Sequence, residues 1–212
     1  MKTFVFQGDS ITDADRSRNN DDYRGNGYPT MVAGDLGYKY PGQFRFLNRG
    51  VSGDRIVDVN ARIRRDLINL SPDYLSILIG INDVWHELGG RNGVNNTKFY
   101  RTYCDVVEEV LTMCPGVKIF ILEPFVLKGP ATEDNWGVFD AETRMRAESA
   151  KRVAEKYGLV FVPLQAKLDA LCEKAPSAYW LHDGVHPTAM GHAVIARALE
   201  EAFCRVADAT AI

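Results

Sequence analysis

Ser10 follows a short apolar run in Phe6-Gln-Gly-Asp-Ser-Ile-Thr12. Gly8 permits a tight turn there, so a strand ending at this point would leave the serine at its carboxyl end, where a helix is expected to begin. A serine hydroxyl is a poor nucleophile until a base takes its proton, and histidine is the side chain that titrates near neutral pH. Asp183-Gly-Val-His186-Pro187 supplies both a base and a carboxylate three residues before it. Such a carboxylate can fix the imidazole tautomer and stabilise the imidazolium. Pro187 disfavours helical geometry at His186 and suits a first helical position, so Asp183 and His186 are expected to share a turn before a final helix. A helix-capping serine and a capping aspartate beside a surface histidine are the alternatives that these residues leave open.

Acyl transfer also needs donors aimed at the developing oxyanion. Two loops offer them. Arg49-Gly-Val-Ser-Gly53-Asp54 has glycines that let backbone N–H groups approach a ligand, and Gly80-Ile-Asn82-Asp83 has the Asn82 amide. Ordinary turn chemistry would account for either one alone. Gly50 rivals Gly53 for the first of these roles. Two other chemistries are weighed against the serine. His182 and His186 have the spacing of a helical zinc pair, but Gly184 and Pro187 oppose a helix through this segment and no third ligand is evident, so no metal is expected. Asp9 suggests a nucleophilic aspartate of the haloacid-dehalogenase kind, yet Ile11 stands where that motif needs a second acid.

These residues require elements that bring them to one edge. Continuous apolar runs at Thr3–Phe6, Phe44–Leu47, Tyr74–Ile79, Val117–Leu122 and Leu159–Pro163 suit strands covered on both faces. Ile56, Val59, Ile63, Leu67 and Leu70 recur at helical steps. Further helices fit Phe99–Met113, Ala141–Tyr157, Leu164–Lys174 and about Pro187–Val206. Alternating β and α segments predict an α/β fold: a three-layer α/β/α sandwich with a flavodoxin-like, five-stranded parallel sheet, formed as a single domain over 1–212. Polar loops are expected at Asp13–Gly27, His86–Lys98 and Phe125–Val138, all at the carboxyl edge of the sheet.

Composition narrows the class. The 212 residues carry 25 basic and 28 acidic side chains, a net charge of −3. With 46% hydrophobic residues a substantial core is available. No basic run favours nucleic acid, and no apolar run reaches the ~18 residues of a membrane span. The start shows no leader-like segment, and Cys104, Cys114, Cys172 and Cys204 form no disulfide pattern, which together point to a cytoplasmic setting. Phosphate-cradling glycine motifs are absent, and the acidic loop after the first strand would repel the phosphate of a flavin, so no cofactor is expected.

Gly8-Asp-Ser10-Ile, Ser-Gly53-Asp, Gly80-Ile-Asn82-Asp83 and Asp183-Gly-Val-His186, in this order and at this spacing, resemble the four sequence blocks of the GDSL or SGNH hydrolases. The resemblance covers nearly the whole chain; Ile11 replaces the leucine of the family's name. It implies Ser10 as nucleophile, His186 as base and Asp183 as its orienting acid, with the Ser10 and Gly53 N–H groups and the Asn82 side chain forming an oxyanion hole. Ser-Gly-Asp is the family pattern, which favours Gly53 over Gly50. Gly-Asp-Ser-Ile-Thr-Asp, Arg-Gly-Val-Ser-Gly-Asp and Ile-Gly-Ile-Asn-Asp-Val-Trp further resemble the intracellular acetyl-xylooligosaccharide esterases, some of which form higher oligomers. That likeness implies a small acylated carbohydrate as substrate, with a lysophospholipase or thioesterase of the same family as the alternative. Of the tryptophans expected near the active edge, Trp85 and Trp180 adjoin motif residues and are candidates to pack against a sugar; Trp136 is the third. Asp9 and Asp83 are expected to orient their catalytic neighbours, His86 and His182 to line the rim, His192 to pack, and Arg55 to pair with Asp54 or Asp58.

Overall fold

The computed structural model describes residues 1–210, with side chains through Val206. In chain order the elements are β1 (Lys2–Gly8), α1 (Ser10–Asp13), α2 (Tyr28–Lys39), β2 (Phe44–Asn48), α3 (Ile56–Ala61), α4 (Ile63–Asp66), β3 (Tyr74–Leu78), α5 (Ile81–Gly90), α6 (Asn96–Met113), β4 (Lys118–Leu122), α7 (Trp136–Tyr157), β5 (Val160–Val162), α8 (Gln165–Leu171), α9 (Ser177–Trp180) and α10 (Ala189–Thr210). The strands form one sheet in the order β2-β1-β3-β4-β5. All four pairings are parallel, with Phe4 opposite both Phe46 and Tyr74. Because the chain leaves β1 toward one edge and returns on its other side at β3, a crevice opens at the carboxyl ends of these two strands.

Alternation along the strands separates two cores. Phe4 and Phe6 point to one face, where Phe4 stacks on Phe6 and Phe120 at 4.7 and 6.2 Å and meets Phe203 of α10 at 5.9 Å. Helices α2 and α10 close that aromatic layer with Val32, Leu36 and Leu199. Val5, Leu75, Ile77, Ile119 and Ile121 point the other way and pack on Val59 of α3, Val106 and Val110 of α6, and Val153 of α7. Each such side chain contributes roughly 1.5–3 kcal/mol on burial, so the sheet is a stiff platform for whatever stands at its edge.

The expected strands and sheet are present, and several helices differ from expectation. The stripe from Ile56 to Leu70 is broken: Arg62 sits at φ −110° and ψ 8°, ending α3, and Ile68–Leu70 forms a 3-10 turn. The guanidinium of Arg62 bridges Asp54 and Asp66, which fixes the break. His86–Lys98 is mostly helical rather than a loop. Helix α5 runs to Gly90 and stops on Arg91 in the left-handed conformation, and α6 starts after Asn95, whose side chain accepts from Lys98 N–H. Helix α7 begins at Trp136, ahead of the expected Ala141. Pro187 is not the first residue of α10; it forms an antiparallel bridge with Leu181, and the Thr188 carbonyl accepts from His192 N–H as the helix begins. Helices α2 and α9 were not expected from the sequence. Among the described residues no helix is long and apolar enough to cross a membrane.

Candidate active site

Ser10 is the first residue of the single turn α1. Asp9 caps that turn by accepting from Ile11 N–H at 3.0 Å. The turn can lie directly against the sheet because Gly8 has no side chain; a Cβ there would overlap the Leu78 carbonyl and Thr12 Oγ1. Gly50 performs the same service from the β2 side, where a Cβ would strike the backbone at Thr12 and Asp13. Its role is close packing, which separates it from Gly53.

The hydroxyl of Ser10 lies 3.0 Å from His186 Nε2, and His186 Nδ1 lies 2.7 Å from Asp183 Oδ2. The other carboxylate oxygen accepts from the N–H groups of Val185 and His186 at 2.8 and 2.7 Å. Asp183 and His186 thus share a turn, closed by the 181–187 bridge. Burial would raise the Asp183 pKa, but these hydrogen bonds outweigh it and hold the carboxyl well below the usual range. His186 is pushed up from its ordinary value, chiefly by its bond to Asp183, against an opposing effect of burial. Serine, imidazole and carboxylate in series can pass a proton from the hydroxyl to Nε2 while Nδ1–H stays anchored.

Beside this series is a cavity of about 610 Å³ bordered by Ser10, Gly53, Asn82, Trp85 and His186. Gly53 has φ +84°, a conformation that favours glycine. Gly80, at φ +141°, makes the turn from β3 into α5 and so places Asn82 in the first turn of that helix. One N–H of the Asn82 amide donates to the Asp54 carbonyl at 3.1 Å, leaving the other for a ligand. Among the described residues neither Ser10 N–H nor Gly53 N–H has a protein acceptor.

The loop carrying Gly53 is braced by residues that the sequence reading missed or assigned only loosely. Arg16 Nε donates to the Gly50 carbonyl at 2.7 Å, and Asp13, paired with Arg18, accepts from Ser52 N–H at 3.0 Å. Asp83, fully buried, accepts from Ile56 N–H at 3.2 Å with each oxygen and ties α3 to α5. These partners are 27 to 39 positions apart, a separation that local patterns do not reveal. Asp9, also buried, is raised to about 7, mainly by desolvation, and its charge favours the imidazolium of His186.

The remaining candidates divide. Trp85 borders the cavity, its ring 5.8 Å from that of His186 and edge-on to Phe139. Trp180 is not brought to this cavity: its Nε1 donates to the Leu171 carbonyl and its ring lines a separate cleft between α8, α9 and α10. Trp136 packs against the aromatic core. His86 lines the same cavity as Trp85, and the His182 ring at the rim stacks on that of His186 at 5.9 Å. His192 is buried and accepts from Tyr28 N–H through Nδ1. Arg55 pairs with Asp58, while Asp54 is held by Arg62. His182, Asp183 and His186 do offer ligand atoms within 4.8 Å of one another. Both His186 nitrogens and both Asp183 oxygens are already in hydrogen bonds, however, so a cation there would have to dismantle the series.

The parallel sheet with helices on both sides, and with this crevice at its switch point, is the α/β fold of the SGNH hydrolases. The sequence model of the GDSL-like lipase/acylhydrolase family matches residues 6–194, and the chain belongs to that family of carboxylic ester hydrolases. It is 34% identical over 205 residues to an acetylxylan esterase of Geobacillus stearothermophilus, covering 92% of this chain and 90% of that one. A catalytic mutant of an acetylxylan esterase from that organism superposes with a TM-score of 0.85 at 30% identity, over 95% of this chain and 93% of the other. A Parabacteroides merdae protein described as a GDSL-like lipase superposes with a TM-score of 0.90 at 34% identity, over 95% and 94% of the two chains.

Proposed function

We propose that this esterase removes short acyl groups, acetyl foremost, from small acetylated carbohydrates such as xylooligosaccharides, through an acyl-enzyme on Ser10. The observation that carries the mechanism is the hydrogen-bonded series from Ser10 through His186 to Asp183, set beside the Gly53 and Asn82 donors. His186 Nε2 takes the proton of Ser10 as Oγ attacks the acetyl carbonyl. The oxyanion is met by Ser10 N–H, Gly53 N–H and the Asn82 amide. His186 then gives its proton to the departing sugar oxygen, and water, deprotonated by the same imidazole, releases acetate and restores Ser10.

Likeness to an acetylxylan esterase supports the substrate class, and Trp85, at the wall of the cavity that holds Gly53 and Asn82, meets the acyl side of the ester. Four free cysteines, two of them buried, fit a reducing cytoplasmic compartment. Acetate release from acetylated xylooligosaccharides, run beside p-nitrophenyl octanoate hydrolysis, tests the reading. Sugar deacetylation that vanishes in Ser10→Ala supports it. Octanoate turnover without sugar deacetylation would transfer the chain to the lysophospholipase or thioesterase branch.

A further inference from the structure

Ser10 and His186 stand between two cavities. One contains Gly53 and Asn82; the other, about 540 Å³, lies on the opposite flank, between the loop that follows α1 and the turn that carries His186. Ser10, Ser52 and His186 border both. We propose that the second cavity seats the alcohol half of the ester, and that Asp15, Asn26 and His182 select a neutral, hydroxyl-rich leaving group. This rests on Ser10 being the nucleophile.

The tetrahedral intermediate joins four groups at one carbon: Ser10 Oγ, the oxyanion, the acyl carbon and the leaving oxygen. The oxyanion must face the donors of the first cavity, and the leaving oxygen must come within hydrogen-bond reach of His186 Nε2 to collect its proton. A partition made of the nucleophile and the base therefore puts the acyl group and the alcohol on different sides. The first cavity presents the Trp85 ring and the Gly89-Gly90 backbone to an acetyl methyl, beside the polar side chains of Asn82, His86 and Asn92. The second offers groups for hydroxyls.

Some of its polar groups are already engaged. Asp13 is held by Arg18 and Ser52 N–H, and His192 Nδ1 by Tyr28 N–H. Others are free for a ligand. The Asp15 carboxylate is exposed and, among the described residues, has no hydrogen-bond or ion-pair partner. Asn26 accepts from the Tyr23 hydroxyl through Oδ1, which leaves its amide donors. The His182 side chain is 62% exposed at the rim. The shelf bearing these groups is fixed. Asn26 N–H donates to the Ala14 carbonyl at 2.7 Å, and Asn48 donates to the carbonyls of Thr12 and Arg24 at 2.6 and 2.9 Å. Ala14 and Asp15 are both left-handed, at φ 41° and 61°, a conformation that L side chains seldom adopt. Among the described residues no lysine or arginine borders the cavity, so an alcohol bearing phosphate would meet the Asp15 charge without a counter-ion.

Three acetates that differ only in their alcohol test the proposal: acetylated xylooligosaccharide, monoacetylglycerol and p-nitrophenyl acetate. Asp15→Gly removes the carboxylate at a φ that glycine adopts freely, and Asn26→Ala removes the amide. In the double variant the ratio of kcat/KM for either hydroxylated acetate to that for p-nitrophenyl acetate should fall about tenfold or more, two hydrogen bonds being lost. An unchanged ratio, including an equal loss on all three esters, would overturn the proposal. The arms also separate it from the substrate reading. A wild-type enzyme that cleaves monoacetylglycerol but not the acetylated sugar defeats the carbohydrate assignment, while the ratio for monoacetylglycerol still decides the cavity.

Discussion

Asp183→Asn changes one atom's chemistry and leaves the shape, and the structure dictates its consequence. The carboxylate accepts three hydrogen bonds: two from backbone N–H groups on Oδ1 and one from His186 Nδ1–H on Oδ2. An asparagine has one acceptor oxygen. Left on the two backbone donors, it satisfies both; turned to the imidazole, it sets an NH2 against two N–H groups. The first arrangement wins, so the amide presents N–H to Nδ1. The imidazole must then carry its proton on Nε2, pointing at Ser10 Oγ, and can no longer accept the serine proton. The imidazolium also loses its counter-charge. Together these should lower kcat by on the order of 10³–10⁴, or about 4–5.5 kcal/mol of barrier. The turn keeps both backbone bonds and should survive. Initial rates on p-nitrophenyl acetate at pH 8, with a thermal melt of each protein, measure both effects. A loss of less than about tenfold from a folded variant would refute the assignment of Asp183 as the tautomer-fixing group.

Asn82→Ala should reduce kcat by ~10²–10³; because Asn82 also holds the Asp54 carbonyl, the melt must be compared. The rate kcat/KM should rise with pH along a limb whose midpoint lies above 6.5, since the bond to Asp183 favours the protonated imidazole and only the neutral form accepts the serine proton. Asp9→Asn keeps the cap on α1 but removes a charge that favours the imidazolium, so the limb should move to lower pH; an unmoved limb would exclude Asp9 from the tuning of His186. His192 is lowered by burial to about 4, so between pH 6.5 and 4 the unfolded chain takes a proton that the folded chain refuses. Stability from this residue is therefore complete at high pH and lost as pH falls through that window. His192→Asn, whose Oδ1 can still accept from Tyr28 N–H, should lose about 2 kcal/mol less than wild type between pH 7 and 5 in urea melts. Parallel losses would refute the role of His192.

Local signals carry the four blocks because each is contiguous: a glycine close to the chemical residue, after a strand in three of them and in the turn before α10 in the fourth. The strands are legible for the same reason, their apolar runs being continuous and buried on both faces. Helix α2 is hidden because Gly34 and Gly37 dilute its pattern, and Gly89-Gly90 makes the end of α5 resemble a loop although Arg91 caps it. The brace on the Gly53 loop and the placement of Trp180 depend on which distant segments meet. Turn chemistry leaves Gly50 and Gly53 as rivals, and only the family pattern Ser-Gly-Asp favours Gly53; the backbone pressed against Gly50, and the open space with positive φ at Gly53, supply the physical distinction.

The central claim is that Ser10 is the nucleophile. Intact-mass and peptide analysis after reaction with a fluorophosphonate tests it most directly. One adduct on Ser10, absent from Ser10→Ala and formed much more slowly in Asp183→Asn, is the predicted result. An unlabelled wild-type chain, or an adduct that persists in Ser10→Ala, would contradict it.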